Sequence, residues 1–188
     1  MEVINADIPD VKIIKTDIYR DGRGYFTETY NYERYRDVGI DAKFVQDNES
    51  LSSRGVLRGF HWQAGVHAQA KLVRVVRGAV LDVVVDIRKG SPTFGRHVSC
   101  ELTADNGIQF FIPRGFAHAF LVLEDDTLFA YKCDNFYFKP AERGLRFDDP
   151  ALAVAWPRTE GGYVLSEKDL VHPPLDGIEP WSWSLPIF

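Results

Sequence analysis

Residues 72–87 read LVRVVRGAVLDVVVDI, and this stretch indicates the fold class of the chain. β-branched residues fill both halves, and Gly78 divides them, which predicts two strands that meet at a tight glycine turn. In the second half, Asp82 and Asp86 interrupt an otherwise apolar run. Such a run is typical of a barrel strand whose two faces are both partly buried.

Short segments of the same kind lie before and after this stretch, and clusters of Gly, Pro, Asn and Asp separate them. They predict further strands at residues 56–62, 108–112, 118–123 and 128–133. Helical signals are few: Asn31 is placed to cap one short helix, and Ser166 with Asp169 resembles a capping box that opens a brief turn. We therefore expect a mainly β protein of one domain, residues 1–188, folded as a double-sheet antiparallel jelly-roll barrel with a few short helices.

The composition is that of an ordinary globular protein, since 45% of the 188 residues are hydrophobic and 26% are charged. A formal net charge of −5 argues against a nucleic-acid partner, which normally needs a basic surface. The first residues carry acids where a secretory signal would be basic, and the apolar runs are too short to span a bilayer. Cys100 and Cys133 lack metal-ligand spacing, so we expect reduced thiols, a cytoplasmic location and no membrane contact.

A loop-and-strand motif follows Gly107 and ends in Pro113-Arg114-Gly115-Phe116-Ala117-His118. It is similar to the second motif of the cupin superfamily, jelly-roll barrels whose site lies in the barrel mouth. Metal-binding cupins add an upstream His-x-His pair and an acidic ligand, because a divalent metal needs several convergent ligands. Here the upstream segment is His61-Trp62-Gln63, and Lys71, which would repel a cation, follows it. This departure predicts a site without metal, while a histidine that only completes the core is the alternative for His118.

Histidines and a lysine inside an apolar barrel suit proton transfer beside a carbonyl group. Imidazole titrates near neutrality and is a natural general base. A cation stabilises the oxyanion that forms when a proton leaves the carbon next to a ketone, and a tyrosine can return a proton from the opposite side. These residue types predict epimerisation through an enolate, but they do not name the substrate.

Longer motifs carry a resemblance to a known family. Residues 55–63, GVLRGFHWQ, followed by residues 69–75, QAKLVRV, resemble the signature of the dTDP-4-dehydrorhamnose 3,5-epimerase family. Matching pieces occur in family order from about Arg23 to Asp169 and cover most of the chain. The resemblance implies a cupin-like jelly roll and an isomerase. Its reaction would invert C3 and C5 of dTDP-4-dehydro-6-deoxyglucose in dTDP-L-rhamnose biosynthesis.

By this resemblance, four residues are catalytic. His61 is the base that removes the proton at C3 and then at C5, and Asp169 pairs with it to stabilise the imidazolium. Lys71 stabilises the enolate oxygen at C4, and Tyr131 is the proton donor on the face opposite His61. The structural alternatives are a helix-cap role for Asp169, a solvated lysine at a strand start and a tyrosine of the core.

The resemblance also implies a set of binding residues and a dimer. Arginines suit the diphosphate because a guanidinium donates two parallel hydrogen bonds, and an aromatic ring stacks on thymine. The substrate-binding residues expected in this way are Arg23, Phe26, Glu28, Gln46, Asn48, Arg58, His118, Tyr137, Glu142 and Lys168. No cofactor or metal is expected. Family members are homodimers whose N-terminal strands cross to the partner, so Arg23 and Glu28 are expected to complete the neighbouring subunit's site.

Three other functions fit parts of the pattern. The nearest is an enzyme that inverts only C3 or only C5 of another nucleotide-linked 4-keto-6-deoxysugar. A second is a metal-dependent cupin that uses His61, His67 and His118. A third is a sugar-binding module without catalysis, against which the joint presence of a base, a cation and an acid argues. The aromatic tail at residues 180–183 is expected to pack on the barrel or to lie at a subunit contact.

Overall fold

The structure, a computed structural model, describes residues 1–182. One short helix, α1 (Tyr32–Asp37), accompanies the strands, together with 3₁₀ turns at Gly65–His67, Lys139–Ala141 and Leu175–Gly177. The strands are β1 (Glu2–Asn5), β2 (Lys12–Lys15), β3 (Tyr19–Asp21), β4 (Gly24–Phe26), β5 (Gln46–Ser52), β6 (Leu57–Gln63), β7 (Lys71–Arg77), β8 (Ala79–Asp86), β9 (His97–Thr103), β10 (Ile108–Ile112), β11 (Phe116–Val122), β12 (Thr127–Cys133) and β13 (Glu142–Gly144).

Two larger sheets pack face to face. The six-stranded sheet has the order β1-β2-β10-β7-β12-β5, and the five-stranded sheet has the order β13-β6-β11-β8-β9. β3 and β4 form a two-stranded ribbon. The ladders between these strands are antiparallel. This arrangement confirms the mainly β, double-sheet architecture expected from the sequence.

Side chains of alternate residues meet between the two sheets. Val73 and Val75 of β7 point inward from the six-stranded sheet, while Val80 and Val84 of β8 point inward from the five-stranded sheet. Because side chains alternate between the faces of a strand, the residues two apart from these also face the interior. Burial of each such aliphatic side chain contributes roughly 1.5–3 kcal/mol to stability. The same alternation decides which polar side chains enter the barrel.

The outer faces of both sheets are also covered. Val83 and Val85 of β8 pack with Leu152 and Trp181 from the C-terminal segment. On the other side of the molecule, Tyr35 of α1 belongs to a cluster that covers the six-stranded sheet. This double coverage explains why the apolar run of β8 is almost continuous, as the sequence predicted.

Each strand predicted from the sequence is present, with ends that differ by one or two residues at most. The turn at Gly78 is confirmed: its φ is +81°, and a Cβ there would overlap Thr127. The prediction did not include β1, β2, β3, β4, β5, β9 or β13. β5 and β9 are edge strands with many polar residues, so they lack the apolar signal by which inner strands are recognised. The other five are only three or four residues long, too short to show a clear alternation.

The predicted helix is confirmed, because the Asn31 side chain accepts a hydrogen bond from the Arg34 backbone N–H at 3.3 Å. The segment at Ser166 forms turns, and the Asp169 carboxylate is used there by other side chains instead of capping a helix. Trp181 of the aromatic tail packs on the barrel, and residue 183 lies outside the described residues. Among residues 1–182, no helix has the length and apolar character needed to cross a membrane.

Candidate active site

The strands place polar side chains of both sheets inside one end of the barrel. His61 on β6 and His118 on β11 are partners in the five-stranded sheet. Tyr131 on β12 lies opposite Val73 of β7 in the six-stranded sheet, and Lys71 begins β7 two residues before Val73, on the same face. The two sheets therefore hold His61 and Tyr131 on opposite sides of a cavity.

This cavity has a volume of about 550 Å³, and a smaller one of about 240 Å³ adjoins it. Apolar side chains such as Leu57, Phe120 and Leu165 share the walls with the polar residues. The predicted site residues that line one or both cavities are Gln46, Asn48, Arg58, His61, Lys71, His118, Tyr131, Tyr137, Glu142, Lys168 and Asp169. A polar, ligand-sized cavity with convergent titratable groups is the usual form of an active site.

His61 forms a close pair with Asp169. Its Nε2 lies 2.5 Å from Asp169 Oδ1, and the Ser166 hydroxyl donates to Asp169 Oδ2 at 2.8 Å. Burial alone would raise the pKa of the Asp169 carboxyl, but the hydrogen bonds from His61 and Ser166 bring it below its usual value. An ionised carboxylate on Nε2 favours the tautomer that carries its proton there. Nδ1 of His61 is then the nitrogen with a free lone pair, which is what a general base needs.

His118 forms a second histidine–carboxylate pair, with Asp82. His118 Nε2 lies 2.9 Å and 3.0 Å from the two carboxylate oxygens of Asp82. Both side chains are almost fully buried, and burial lowers the pKa of His118 and raises the pKa of Asp82. Burial therefore opposes charge on both groups, and a hydrogen bond joins them. His118 lines the cavity, as expected, beside the pair formed by His61.

Lys71 brings an ammonium group to the cavity wall. Its Nζ lies 5.9 Å from the centroid of the Tyr131 ring, and it forms no salt bridge within residues 1–182. Burial lowers the pKa of Lys71, while Cys133, Asp82 and Glu142 act in the opposite direction. A negatively charged oxygen in the cavity would favour the protonated form further. The lysine is thus positioned to hold an oxyanion, and it is only partly exposed, unlike a solvated lysine.

Tyr131 is mostly buried, and its hydroxyl is protonated at neutral pH. Burial raises the pKa of the phenol, and Glu142 adds to the increase, while Arg58 opposes it. A protonated phenol can donate to a carbanion across the cavity from His61. The tyrosine also packs against Phe129, so it is both a core residue and a lining residue.

The remaining lining residues hold one another in place. Glu142 accepts hydrogen bonds from Lys168 Nζ at 2.6 Å and from the Tyr137 hydroxyl at 3.1 Å. The Gln46 side-chain amide donates to Asn48 at 3.0 Å. Arg58 Nη2 donates to the Ser52 hydroxyl at 3.1 Å, which leaves other guanidinium donors available at the cavity.

Three of the predicted binding residues lie elsewhere. Arg23 and Phe26 belong to the exposed β3–β4 ribbon, where Arg23 pairs with Asp21 and its side chain is 92% exposed. Glu28 forms an ion pair with Arg34 at 2.8 Å. Within a single chain, these residues do not line the cavity of His61.

The three histidines of the metal-dependent alternative do not form one set of ligands within residues 1–182, although His61 and His118 line the same cavity. His67 stacks on Phe138 with ring centroids 4.2 Å apart, and His118 is bound to Asp82. Among residues 1–182, the histidine and carboxylate groups that do converge are those of His61, Asp169 and His172. Sequence reasoning missed His172, although its position three residues after Asp169 was a signal that one turn brings them together.

These observations define a jelly-roll protein whose cavity is equipped for proton transfer. The family model for dTDP-4-dehydrorhamnose 3,5-epimerase matches residues 5–177. A dTDP-4-dehydrorhamnose 3,5-epimerase from Shigella flexneri is 48% identical over 171 residues, which cover 90% of this chain and 93% of the relative. The chain belongs to the dTDP-4-dehydrorhamnose 3,5-epimerase family.

Solved structures agree in fold. The crystal structure of dTDP-6-deoxy-D-glucose-3,5-epimerase from Legionella pneumophila, in complex with dTDP-4-keto-L-rhamnose, is similar with a TM-score of 0.92 and 47% identity. The aligned part covers 95% of this chain and 94% of the Legionella chain. A 3'-monoepimerase from Streptomyces bikiniensis, in complex with dTDP-quinovose, has a TM-score of 0.87 and 36% identity over 92% of this chain and 87% of its own. The cupin-like jelly roll is thus shared.

Proposed function

We propose that this chain is a dTDP-4-dehydrorhamnose 3,5-epimerase that converts dTDP-4-dehydro-6-deoxyglucose by inverting C3 and C5. It would serve dTDP-L-rhamnose biosynthesis. The observation that carries the proposal is the His61–Asp169 pair, which faces Tyr131 across a cavity that also contains Lys71. Family membership with relatives at 45–48% identity supports the same reaction.

The proposed mechanism uses the ketone at C4 twice. His61 Nδ1 takes the proton from C3, and the electrons of the broken C–H bond move to the C4 oxygen to form an enolate. The Lys71 ammonium stabilises this oxygen, and Asp169 stabilises the new imidazolium. Tyr131 gives a proton to the opposite face of the carbon. After proton exchange with solvent restores both groups, the same steps invert C5, which flanks the same carbonyl.

The nucleotide part of the substrate would bind toward the open end of the cavity. Arg58 offers a guanidinium for the diphosphate, and the exposed ring of Tyr137 is available to stack on thymine. Gln46 and Asn48 supply amides, and Glu142 with Lys168 sets the position of the Tyr137 hydroxyl. The mechanism needs no metal or cofactor.

The active unit proposed here is a cytoplasmic homodimer. Arg23, Phe26 and Glu28 lie on or beside the exposed β3–β4 ribbon, away from the cavity of their own chain. In a dimer, the ribbon would bring them to the partner's site. The two cysteines are free thiols, which fits a reducing compartment.

An epimerase that inverts a single carbon is the second candidate, because a 3'-monoepimerase shares the fold at 36% identity. The two reactions differ in the number of carbons that exchange protons with solvent. The purified protein is incubated with dTDP-4-dehydro-6-deoxyglucose in D₂O, and the sugar is analysed by mass spectrometry. Two deuterons per sugar support the double reaction, one supports the mono-epimerase, and none contradicts both.

A further inference from the structure

His172 is the third member of a compact group with His61 and Asp169. A ring nitrogen of each histidine and a carboxylate oxygen of Asp169 all lie within 4.8 Å of one another. Asp169 Oδ1 is shared, because it lies 2.5 Å from His61 Nε2 and 3.4 Å from His172 Nε2. The two imidazoles meet edge to face, with ring centroids 5.6 Å apart.

The His172 ring is fixed in this place by the backbone around it. It fills the space beside Gly144, where a Cβ would overlap the ring. His172 Nε2 is buried, and its 3.4 Å contact with Asp169 Oδ1 lacks the geometry of a hydrogen bond, so the nitrogen has no hydrogen-bond partner within residues 1–182. A buried ring nitrogen without a hydrogen-bond partner, beside a carboxylate and a second imidazole, is available to coordinate a metal ion.

We propose that His61, Asp169 and His172 form an inhibitory binding site for Zn²⁺. Zinc is bound by imidazole and carboxylate, and open zinc sites use three protein ligands with water in the fourth position. In a tetrahedral site, bonds of about 2.0–2.2 Å place the donor atoms about 3.3–3.6 Å apart. The 2.5 Å contact between His61 Nε2 and Asp169 Oδ1 must therefore open by about 1 Å, and donor atoms as far apart as 4.8 Å must close by about 1.2–1.5 Å. His61 lines the open cavity, from which water and the ion would arrive.

Zinc at this site removes the proposed base without any change in the fold. The metal takes the lone pair of His61 Nε2 and replaces the proton shared with Asp169. The proton that Nε2 carried moves through solvent to Nδ1, so Nδ1 no longer has a free lone pair. Because the metal removes the proposed base while the other cavity residues that would bind the sugar stay in place, it lowers kcat more than it changes KM. The binding itself does not depend on the proposed reaction, but the inhibition rests on His61 acting as the base.

The test measures turnover of the 4-keto sugar in buffers of fixed free Zn²⁺, for the unmodified protein, His172→Ala and His67→Ala. His67→Ala is the matched control, because His67 is a partly exposed histidine that stacks on Phe138 outside the group. The same concentration of zinc should inhibit the unmodified protein and His67→Ala. A chelator should restore the activity of both. His172→Ala should need roughly tenfold more zinc or beyond, because one of three ligands is lost. Mg²⁺, which prefers oxygen ligands, should not inhibit.

Equal zinc sensitivity of His172→Ala and the unmodified protein would overturn the proposal. Anomalous diffraction from zinc-soaked crystals of the unmodified protein tests binding without any variant, and we expect one peak between the three side chains. Absence of that peak contradicts the site. A peak with unchanged turnover contradicts the inhibition and identifies the base assignment of His61, not the metal site, as the error.

Discussion

The molecule contains two histidine–aspartate pairs that differ in their access to the cavity. The His61–Asp169 side chains are 24% and 3% exposed, and the His118–Asp82 side chains are 6% and 0% exposed. The pKa of Asp169 is lowered, whereas that of Asp82 is raised, although each carboxyl group forms a hydrogen bond with an imidazole.

Because the two carboxylates are almost equally buried, the additional donor and the access of the histidine to the cavity decide what each pair can do. Asp169 has an additional donor, Ser166, and a partner that reaches the cavity, so its charge is maintained. Asp82 is fully buried, and its interaction with His118 does not fully offset the free-energy cost of removing the charged carboxylate from solvent. We therefore propose that the first pair is catalytic and that the second is structural.

The largest expected effect is the loss of kcat when His61 is replaced. His61→Asn keeps a polar side chain but removes the base, so kcat should fall by about 10³-fold, within the range known for general bases. Steady-state kinetics measures the rate, and isothermal titration with dTDP measures retained binding. A kcat within a few-fold of the unmodified protein would show that another group takes the proton.

Asp169→Asn should lower kcat by about 10²-fold or more, because the amide cannot stabilise the imidazolium and does not select the same tautomer. The matched change in the other pair, Asp82→Asn, should alter kcat much less. The same assay compares the two variants at equal fraction folded. Similar losses in both would contradict the division of roles.

Stability should show the reverse order. His118→Ala leaves the buried Asp82 carboxyl without its hydrogen-bond partner, so the free energy of unfolding should fall by about 1–3 kcal/mol. His61→Ala should cost less, because Asp169 retains Ser166 and His172 nearby. Urea unfolding followed by tryptophan fluorescence measures both. A larger loss for His61→Ala would refute the structural assignment.

The smallest expected effect is on the pH dependence of the free energy of unfolding, to which Asp169 and Asp82 should contribute in opposite directions. Since the folded-state pKa of Asp169 is lowered, its ionised form stabilises the fold above about pH 4, and this contribution is lost as the pH falls through the lowered pKa. The pKa of Asp82 is raised, so the native protein loses stability relative to Asp82→Asn as the pH rises above about 4. Urea unfolding between about pH 3 and pH 7 compares each Asn variant with the native protein. If the stability difference between the native protein and its variant changed with pH in the same direction for Asp169→Asn and Asp82→Asn, the opposite pKa shifts of the two carboxyl groups would be contradicted.

Inner strands and the cavity side chains could be predicted from the sequence to different degrees. The run at residues 72–87 carries its own burial pattern, so local sequence was enough there. The pairing of His118 with Asp82 depends on the register of β11 on β8, which sets His118 opposite Val84 and so brings it beside Asp82, two residues away on the same face. That register cannot be predicted from the composition or from the spacing of residues in the sequence.

The site residues divide in the same way. Motif resemblance predicted His61, Lys71, Tyr131 and Asp169, which the fold brings to one cavity. His172 carries no motif, and its place depends on the space beside Gly144, 28 residues earlier in the chain. Such a contact becomes visible only when the chain is folded.

The central claim is that His61, and not His118, takes the proton, and solvent exchange tests it most directly. The 4-keto sugar is incubated in D₂O with His61→Asn or His118→Asn, each under conditions in which the variant is folded, and deuterium is counted by mass spectrometry. We predict incorporation at both carbons with His118→Asn and none above the uncatalysed background with His61→Asn. Incorporation at the native rate with His61→Asn, or its loss only with His118→Asn, would contradict the account.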